Sequence, residues 1–191
     1  MSRSGASYHH GNLQSALEDA ALSLLQTQPA AKISLREVAR RAGVSHNAPY
    51  HHFGDRAALL GALGVRAMAD LLAAQEGAVS AATGPPARVR ALGAAYVAYA
   101  ADHPQAFSLV FDPEYCAAGE PSVEMAPLIA RNEELLAGEV EALVQEPGFV
   151  GRDPQALAAA LWATVHGMAE LVMLGHLPRE AAEPALAALL P

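Results

Sequence analysis

Cysteine is almost missing from this chain, which has one, Cys116. A single thiol excludes any disulfide within the chain and suits a reducing cytoplasm. Strand-forming runs are equally scarce. What remains is an alanine- and leucine-rich sequence, 52% hydrophobic but only 5% aromatic, that predicts an all-α fold. The N-terminal stretch MSRSGASYHHGN lacks the apolar segment of a secretion signal. The longest uncharged run, 155–169, falls short of the about 20 residues a bilayer-spanning helix needs. A cytoplasmic protein with no membrane partner is expected.

Catalytic and metal-binding constellations are missing too. An enzyme would need a nucleophile, a base and an orienting group, and the one arrangement to name, Cys116 with His103, has no support in its spacing. His9 with His10 and His51 with His52 are adjacent pairs. Neighbours on a helix point about 100° apart, so neither pair chelates from one face as an i, i+4 pair would. Neither enzyme activity nor a metal or cofactor is expected.

The net charge of −8 over 191 residues argues against a nucleic-acid partner until it is divided along the chain. Residues 1–60 carry six basic groups against four acidic, net +2, and the remainder is net −10. Five of the eight histidines lie in that first third. A small basic reader on an acidic body keeps phosphate contacts at one end and limits non-specific binding elsewhere.

Within the basic portion, 34–56 reads SLREVARRAGVSHNAPYHHFGDR. Ser34 followed by Glu37 is a capping box, and Leu35, Val38, Ala39 and Ala42 fall at helical spacing. Gly43 suits a left-handed helix end, and Ser45 can cap a second helix running to about Phe53. That second helix offers His46, Asn47, His51 and His52 to solvent, too polar for a core and rich in donors for a major groove. Pro49 puts its strain on the first turn, where it is most tolerable. Gly54 ends the helix and Asp55 can cap the next.

These residues carry a resemblance. The run from Tyr8 to about Leu60 resembles the N-terminal domain of the TetR/AcrR family of bacterial transcriptional regulators. The "I/V-A-x-x-A-G-V-S" and "Y-x-H-F-x-x-K/R-x-x-L" patterns are met by Val38, Ala39, Ala42, Gly43, Val44 and Ser45, then by Tyr50, His52, Phe53, Arg56 and Leu59. It departs from the pattern at His46, Asn47 and Pro49. The resemblance and the helix pattern together point to Ser34, Arg36, Ser45, His46, Asn47, Ala48, Tyr50, His51 and Arg56 as the DNA-facing set, with Arg3 a further phosphate contact. For Ser34 a helix cap and a phosphate contact are both open readings, since a cap hydroxyl lies where an anion would bind.

The rest of the chain reads as more helices, about nine in all. Leu13, Leu17, Ala20, Ala21, Leu24 and Leu25 define the first, ended by Pro29. A long fourth helix runs from Asp55 to about Ser80 and joins a reader domain, 1–60, to a second domain, 61–191. Pro85, Pro104 and Pro113 punctuate the chain; further helices are expected at about 121–146, 154–174 and 178–190. Asp153-Pro154 is a start signal for the penultimate one.

The stretch LAAALWATVHGMAELVMLG, 157–175, is apolar on most sides, and its second face is best covered by another copy of the chain. Trp162, His166 and Gly167 resemble the W-x-x-x-H-G signature of one TetR-family C-terminal domain type. The family resemblance implies a homodimer through the last two helices and a cavity for a small-molecule effector. Tyr96, Tyr99, Phe107, Phe111, Trp162 and His166 are the candidates to line it, although core and pocket use the same residue types. The expectation is a ligand-responsive regulator, a repressor released from a palindromic operator on double-stranded DNA. An activator is the alternative within the family. A recombinase or sigma-like protein would share the reader but lack the acidic second domain.

Overall fold

The computed structural model describes residues 6–117 and 119–190, with side chains from residue 13 onward. Arg3 therefore lies outside the described residues, as do the side chains of Tyr8, His9 and His10. Nine α-helices and no strand occur among the described residues: α1 Ala6–Leu25, α2 Leu35–Ala42, α3 Ala48–Phe53, α4 Arg56–Ala81, α5 Pro85–Asp102, α6 Pro104–Phe111, α7 Ala126–Leu143, α8 Pro154–Met173 and α9 Ala182–Leu189. The all-α expectation holds.

Local chemistry sets most of these boundaries. The Ser34 hydroxyl accepts the Glu37 N–H at 3.3 Å, and Gly43 (φ 70°) ends α2 while the Val44 N–H reaches back to the Ala39 carbonyl at 3.0 Å. Asp55 accepts the Ala58 N–H at 2.8 Å and so caps α4. Asp153 accepts the N–H groups of Gln155 and Ala156, with Pro154 in the first helical position.

Prolines move three other helix starts downstream of where periodicity puts them. Helix α3 begins at Ala48 rather than Ser45, α7 at Ala126 rather than about Pro121, and α9 at Ala182 after a separate 3₁₀ turn, Arg179–Ala181. In each case a proline, at 49, 127 or 184, falls within the first turn, the one place in a helix where its missing N–H costs nothing. Ser45 consequently closes a turn by accepting the Asn47 N–H at 3.3 Å instead of capping α3.

The chain forms two compact units. Among the described residues, the first comprises those from 6–67 and 105–121, the second those from 68–104 and 122–190. The division expected at residue 60 thus falls later, inside α4, and α6 belongs to the first unit. Gln105 accepts the Ala30 N–H at 3.3 Å, and Gly64 on α4 lets the Leu109 backbone come so close that a Cβ there would sit 3.2 Å from its carbonyl oxygen. Leu17, Val38, Leu59, Leu63 and Phe107 form the fully buried centre of this unit.

In the second unit α5 packs against α7, α8 and α9. Val89, Val140, Leu143, Phe149, Leu161 and Leu190 make up its core. Arg88 and Glu139 pair at 2.7 Å to tie α5 to α7, and Arg90 donates to the Leu190 carbonyl at 2.6 Å, one of the open acceptors at the end of α9.

Helices α4 and α8 are each long and apolar enough to cross a membrane by length and composition alone. Counting only the uncharged run understated this, because Glu170 interrupts that run without ending the helix. In the most apolar stretch of α8 only 17% of residues are buried, against 44% for α4.

Two glycines should answer to alanine with opposite signs. A Cβ on Gly93 would lie 2.9 Å from Val165 Cγ1 and 3.1 Å from Leu186 Cδ1. Val165 is stiff at χ1, so relief is costly. Gly93→Ala should lose about 1–2 kcal/mol, overpacking outweighing the gain in helix propensity. Gly77, mid-helix in α4 with nothing within 4 Å, should gain up to about 1 kcal/mol on the same change. Urea unfolding of both variants checks the pair.

Candidate nucleic-acid interface and effector cavity

The turn between α2 and α3 leaves Ser34, Arg36, Ser45, His46, Asn47, Tyr50 and His51 exposed, while Ala48 is half-buried. Pro49 is buried and anchors the helix, which leaves Tyr50 beside it 47% exposed. Of the nine residues expected to face DNA, eight therefore lie on accessible surface around α3 or at the start of α2.

Arg56 is the exception. Its Nε donates to the Ile33 carbonyl at 2.9 Å and one terminal nitrogen to the Ala30 carbonyl at 2.8 Å. Expected as a phosphate contact, it instead ties the start of α4 to the segment before α2. The Ala30 carbonyl also accepts the Ile33 N–H at 3.0 Å, which closes the 3₁₀ turn Ala30–Lys32, so Arg56 reinforces that turn and its exit. Neighbouring cations are also engaged: Arg41 donates to Ser23, and Arg40 sits 4.0 Å from Glu37. Arg36 is exposed with no protein partner among the described residues.

The second unit holds a narrow cavity of about 30 Å³, partly open to solvent. Gly93, Tyr96, Trp162 and Val165 line it with leucines from α5, α7, α8 and α9. His166, expected beside them, meets both aromatic residues without itself lining the space. The Tyr96 hydroxyl lies 2.8 Å from His166 Nδ1, and the Trp162 and His166 ring centroids are 6.2 Å apart. Burial holds the Tyr96 phenol well above its ordinary value, against the Trp162 indole N–H, which favours the phenolate.

The other three expected lining residues stand elsewhere. Phe107 and Phe111 belong to α6 in the first unit, ring centroids 5.1 Å apart, with Phe107 fully buried in that core. Tyr99 lies near the end of α5 with its ring against His103, centroids 4.9 Å apart, and does not line the cavity. Aromatic content alone does not reveal which unit a short proline-bounded helix joins.

Besides apolar residues of the surrounding helices, two polar lining residues had not been expected, Gln75 on α4 and Asn132 on α7. Both carry buried side-chain oxygens without a hydrogen-bond partner. A signal was present: Gln75 falls between Leu71 and Val79 on the buried face of α4, a polar residue at a core position.

A helix-turn-helix with an exposed polar recognition helix, carried with a second helical unit that holds a lined cavity, has the architecture of a transcriptional regulator. Residues 17–63 match the model of the bacterial regulatory proteins of the tetR family, and residues 89–190, more than half of the chain, match that of a tetracyclin repressor-like C-terminal domain. The chain belongs to the TetR family.

Among solved structures, a protein of unknown function from Rhodococcus sp. RHA1 is 34% identical, with a TM-score of 0.79 over 97% of this chain and 96% of that one. The TetR family regulator PfmR from Thermus thermophilus shares 23% identity at a TM-score of 0.67, covering 92% of this chain and 94% of its own. FadR from Bacillus subtilis, solved in complex with stearoyl-CoA, shares 14% at 0.65, covering 92% and 96%. The last two speak for the fold alone. No protein of curated function matches the sequence.

The two arginines should separate by experiment. Arg56→Ala should cost about 2 kcal/mol of stability, the scale of a charged donor taken from backbone acceptors. Arg36→Ala should leave stability unchanged but flatten the slope of log affinity for DNA against log salt by about one unit, as expected for one lost phosphate contact. Urea unfolding and salt titration of DNA binding check both; an unchanged slope would leave Arg36 as a solvated surface charge.

Proposed function

We propose that this regulator is a repressor that binds a palindromic operator as a homodimer and is released when a small molecule enters the cavity of the second unit. The observation that carries the reading is the course of α4. This one continuous helix is capped by Asp55 directly after the recognition helix and brings Gln75 into the cavity wall. A ligand that binds one arrangement of that wall better than another shifts the position of α4 by its differential affinity, and with it the spacing of two readers in a dimer.

The dimer rests on α8. Ala156, Ala159, Ala163, Gly167, Leu171 and Leu174 are exposed along it, with Leu171 at 41% and Leu174 at 66%. A contiguous apolar face on an otherwise acidic surface marks an interaction site, and a two-fold axis lets the same face cover itself. Trp162, His166 and Gly167 match the W-x-x-x-H-G pattern, which supports that C-terminal domain type. A cytoplasmic location follows from an operator as target.

A gel shift with fragments of the DNA upstream of the protein's own gene tests the function. Wild type should retard a fragment containing an inverted repeat, and Tyr50→Ala should weaken binding at least about tenfold through loss of one hydrogen bond and the ring contact. Wild-type affinity in that variant would remove Tyr50 from the interface.

Sedimentation tests the dimer through a contrast between two leucines on α8. Leu171→Glu should give a folded monomer that no longer holds the operator tightly, because the exposed face receives the charge twice across the axis. Leu161 is 7% exposed and packs within one protomer's core. Leu161→Glu should therefore unfold the second unit rather than separate two folded chains. A folded, dimeric Leu171→Glu protein at micromolar concentration would place the interface elsewhere.

A further inference from the structure

The cavity contains an imbalance that packing does not explain. Its lining has no aspartate, glutamate, lysine, arginine or histidine. A charged ligand would lose its hydration there and gain no counter-charge. The lining is mostly apolar, yet Gln75 is only 4% exposed and its Oε1 has no hydrogen-bond partner; the half-buried Asn132 leaves its Oδ1 in the same condition. Buried amide oxygens without partners are uncommon because each forfeits a hydrogen bond that water would have supplied. Here two of them, from α4 and α7, line one space, and the Arg131–Glu76 pair at 2.9 Å joins the same two helices one residue before Asn132 and one after Gln75.

We propose that the effector is a small, uncharged and largely apolar molecule that donates a hydrogen bond, from an alcohol, phenol or amide N–H group, to Gln75 Oε1, with Asn132 Oδ1 as a second acceptor. The proposal rests on the reading of the cavity as the effector site. It adds that selectivity comes from supplying a donor to acceptors the fold leaves open. An analogue of the same shape without a donor would bury those oxygens beneath it unpaired and bind more weakly.

The test uses the full chain and its single tryptophan, Trp162, which lines the cavity and reports occupancy by fluorescence. The probes are small enough for the cavity: ethanol, its isomer dimethyl ether, and acetate. The alcohol should bind about tenfold more tightly than the ether, the value of one hydrogen bond, and the carboxylate most weakly. In a Gln75→Leu, Asn132→Leu double variant the preference for alcohol over ether should fall to about twofold or less. The ligand-free variant should melt no lower than wild type, since removing unpaired buried oxygens costs nothing.

Equal binding of alcohol and ether, failure of all three probes to bind, a preference that survives the double variant, or a clear loss of melting temperature in it would each overturn the proposal. A gel shift separates this outcome from the underlying reading. If the alcohol binds with the expected preference but leaves the protein on its operator, the donor chemistry stands and the effector reading fails. If alcohol and ether release the operator equally, the reverse holds.

Discussion

Helix α5 can approach α8 and α9 as closely as it does because position 93 has no side chain. Val165 and Leu186 occupy the space a Cβ would need, so the contact fixes the depth at which the three helices meet. The rest of the second unit follows from that depth. One turn before Gly93, Val89 joins Leu161 and Leu190 in the core. Almost one turn after it, Tyr96 reaches His166 across the interface. Arg88 and Arg90 then hold the same helix to Glu139 on α7 and to the end of α9. Gly93 itself faces the cavity, so the feature that draws the helices together also leaves room beside them.

The same helix α8 faces a second demand. Its buried side, Leu161, Val165, Met168 and Ala169, serves one protomer. Most of its remaining surface is alanine, glycine, leucine and a half-exposed tryptophan, with Glu170 the one charge along its length. An isolated domain would gain solubility by placing charges there, as it does on α7 with Arg131, Glu133, Glu134 and Glu141. The contrast between the two neighbouring helices sets α8 apart from ordinary solvent-facing surface.

Features governed by near neighbours in sequence were legible before the structure. Ser34, Asp55 and Asp153 cap helices where expected, and Gly43 and Gly175 take left-handed conformations at helix ends, because a cap or a glycine acts within one turn of itself. The exposed set on α3 was legible for the same reason: a donor-rich helix cannot be buried cheaply. Partners distant in sequence were not legible. Arg56 meets carbonyls 23 and 26 residues away, and no local pattern separates such a cation from one aimed at phosphate. Helix α6 joined the first unit through Gln105 and the close approach at Gly64, neither of which hydropathy registers. Gln75 and Asn132 were visible as letters but acquired meaning only when both proved to be unpaired in one cavity.

The placement of the arginines bears on how the reader recognises DNA. The first 60 residues carry a net charge of +2 in a chain of net charge −8. Yet Arg56 is committed to backbone carbonyls, Arg41 to Ser23, and Arg40 lies near Glu37. The Glu37 carboxylate offsets charge beside Arg40, and the neutral acceptors fix where the other two guanidinium groups sit and occupy part of their donors. Arg36 remains on the exposed side of α2, near Ser34 at the helix N-terminus, where backbone N–H groups also favour an anion. A reader with few uncommitted cations draws less of its affinity from counterion release, the part that is blind to sequence. Under the proposed DNA-facing set, a larger share would fall on the neutral donors and acceptors of His46, Asn47, Tyr50 and His51, whose contacts would depend on base edges and on the proposed pairing of two readers. Such a division would suit the spacing control proposed above: when the dominant contacts are geometric, a small displacement of α4 costs far more than it would if diffuse charge held the complex together.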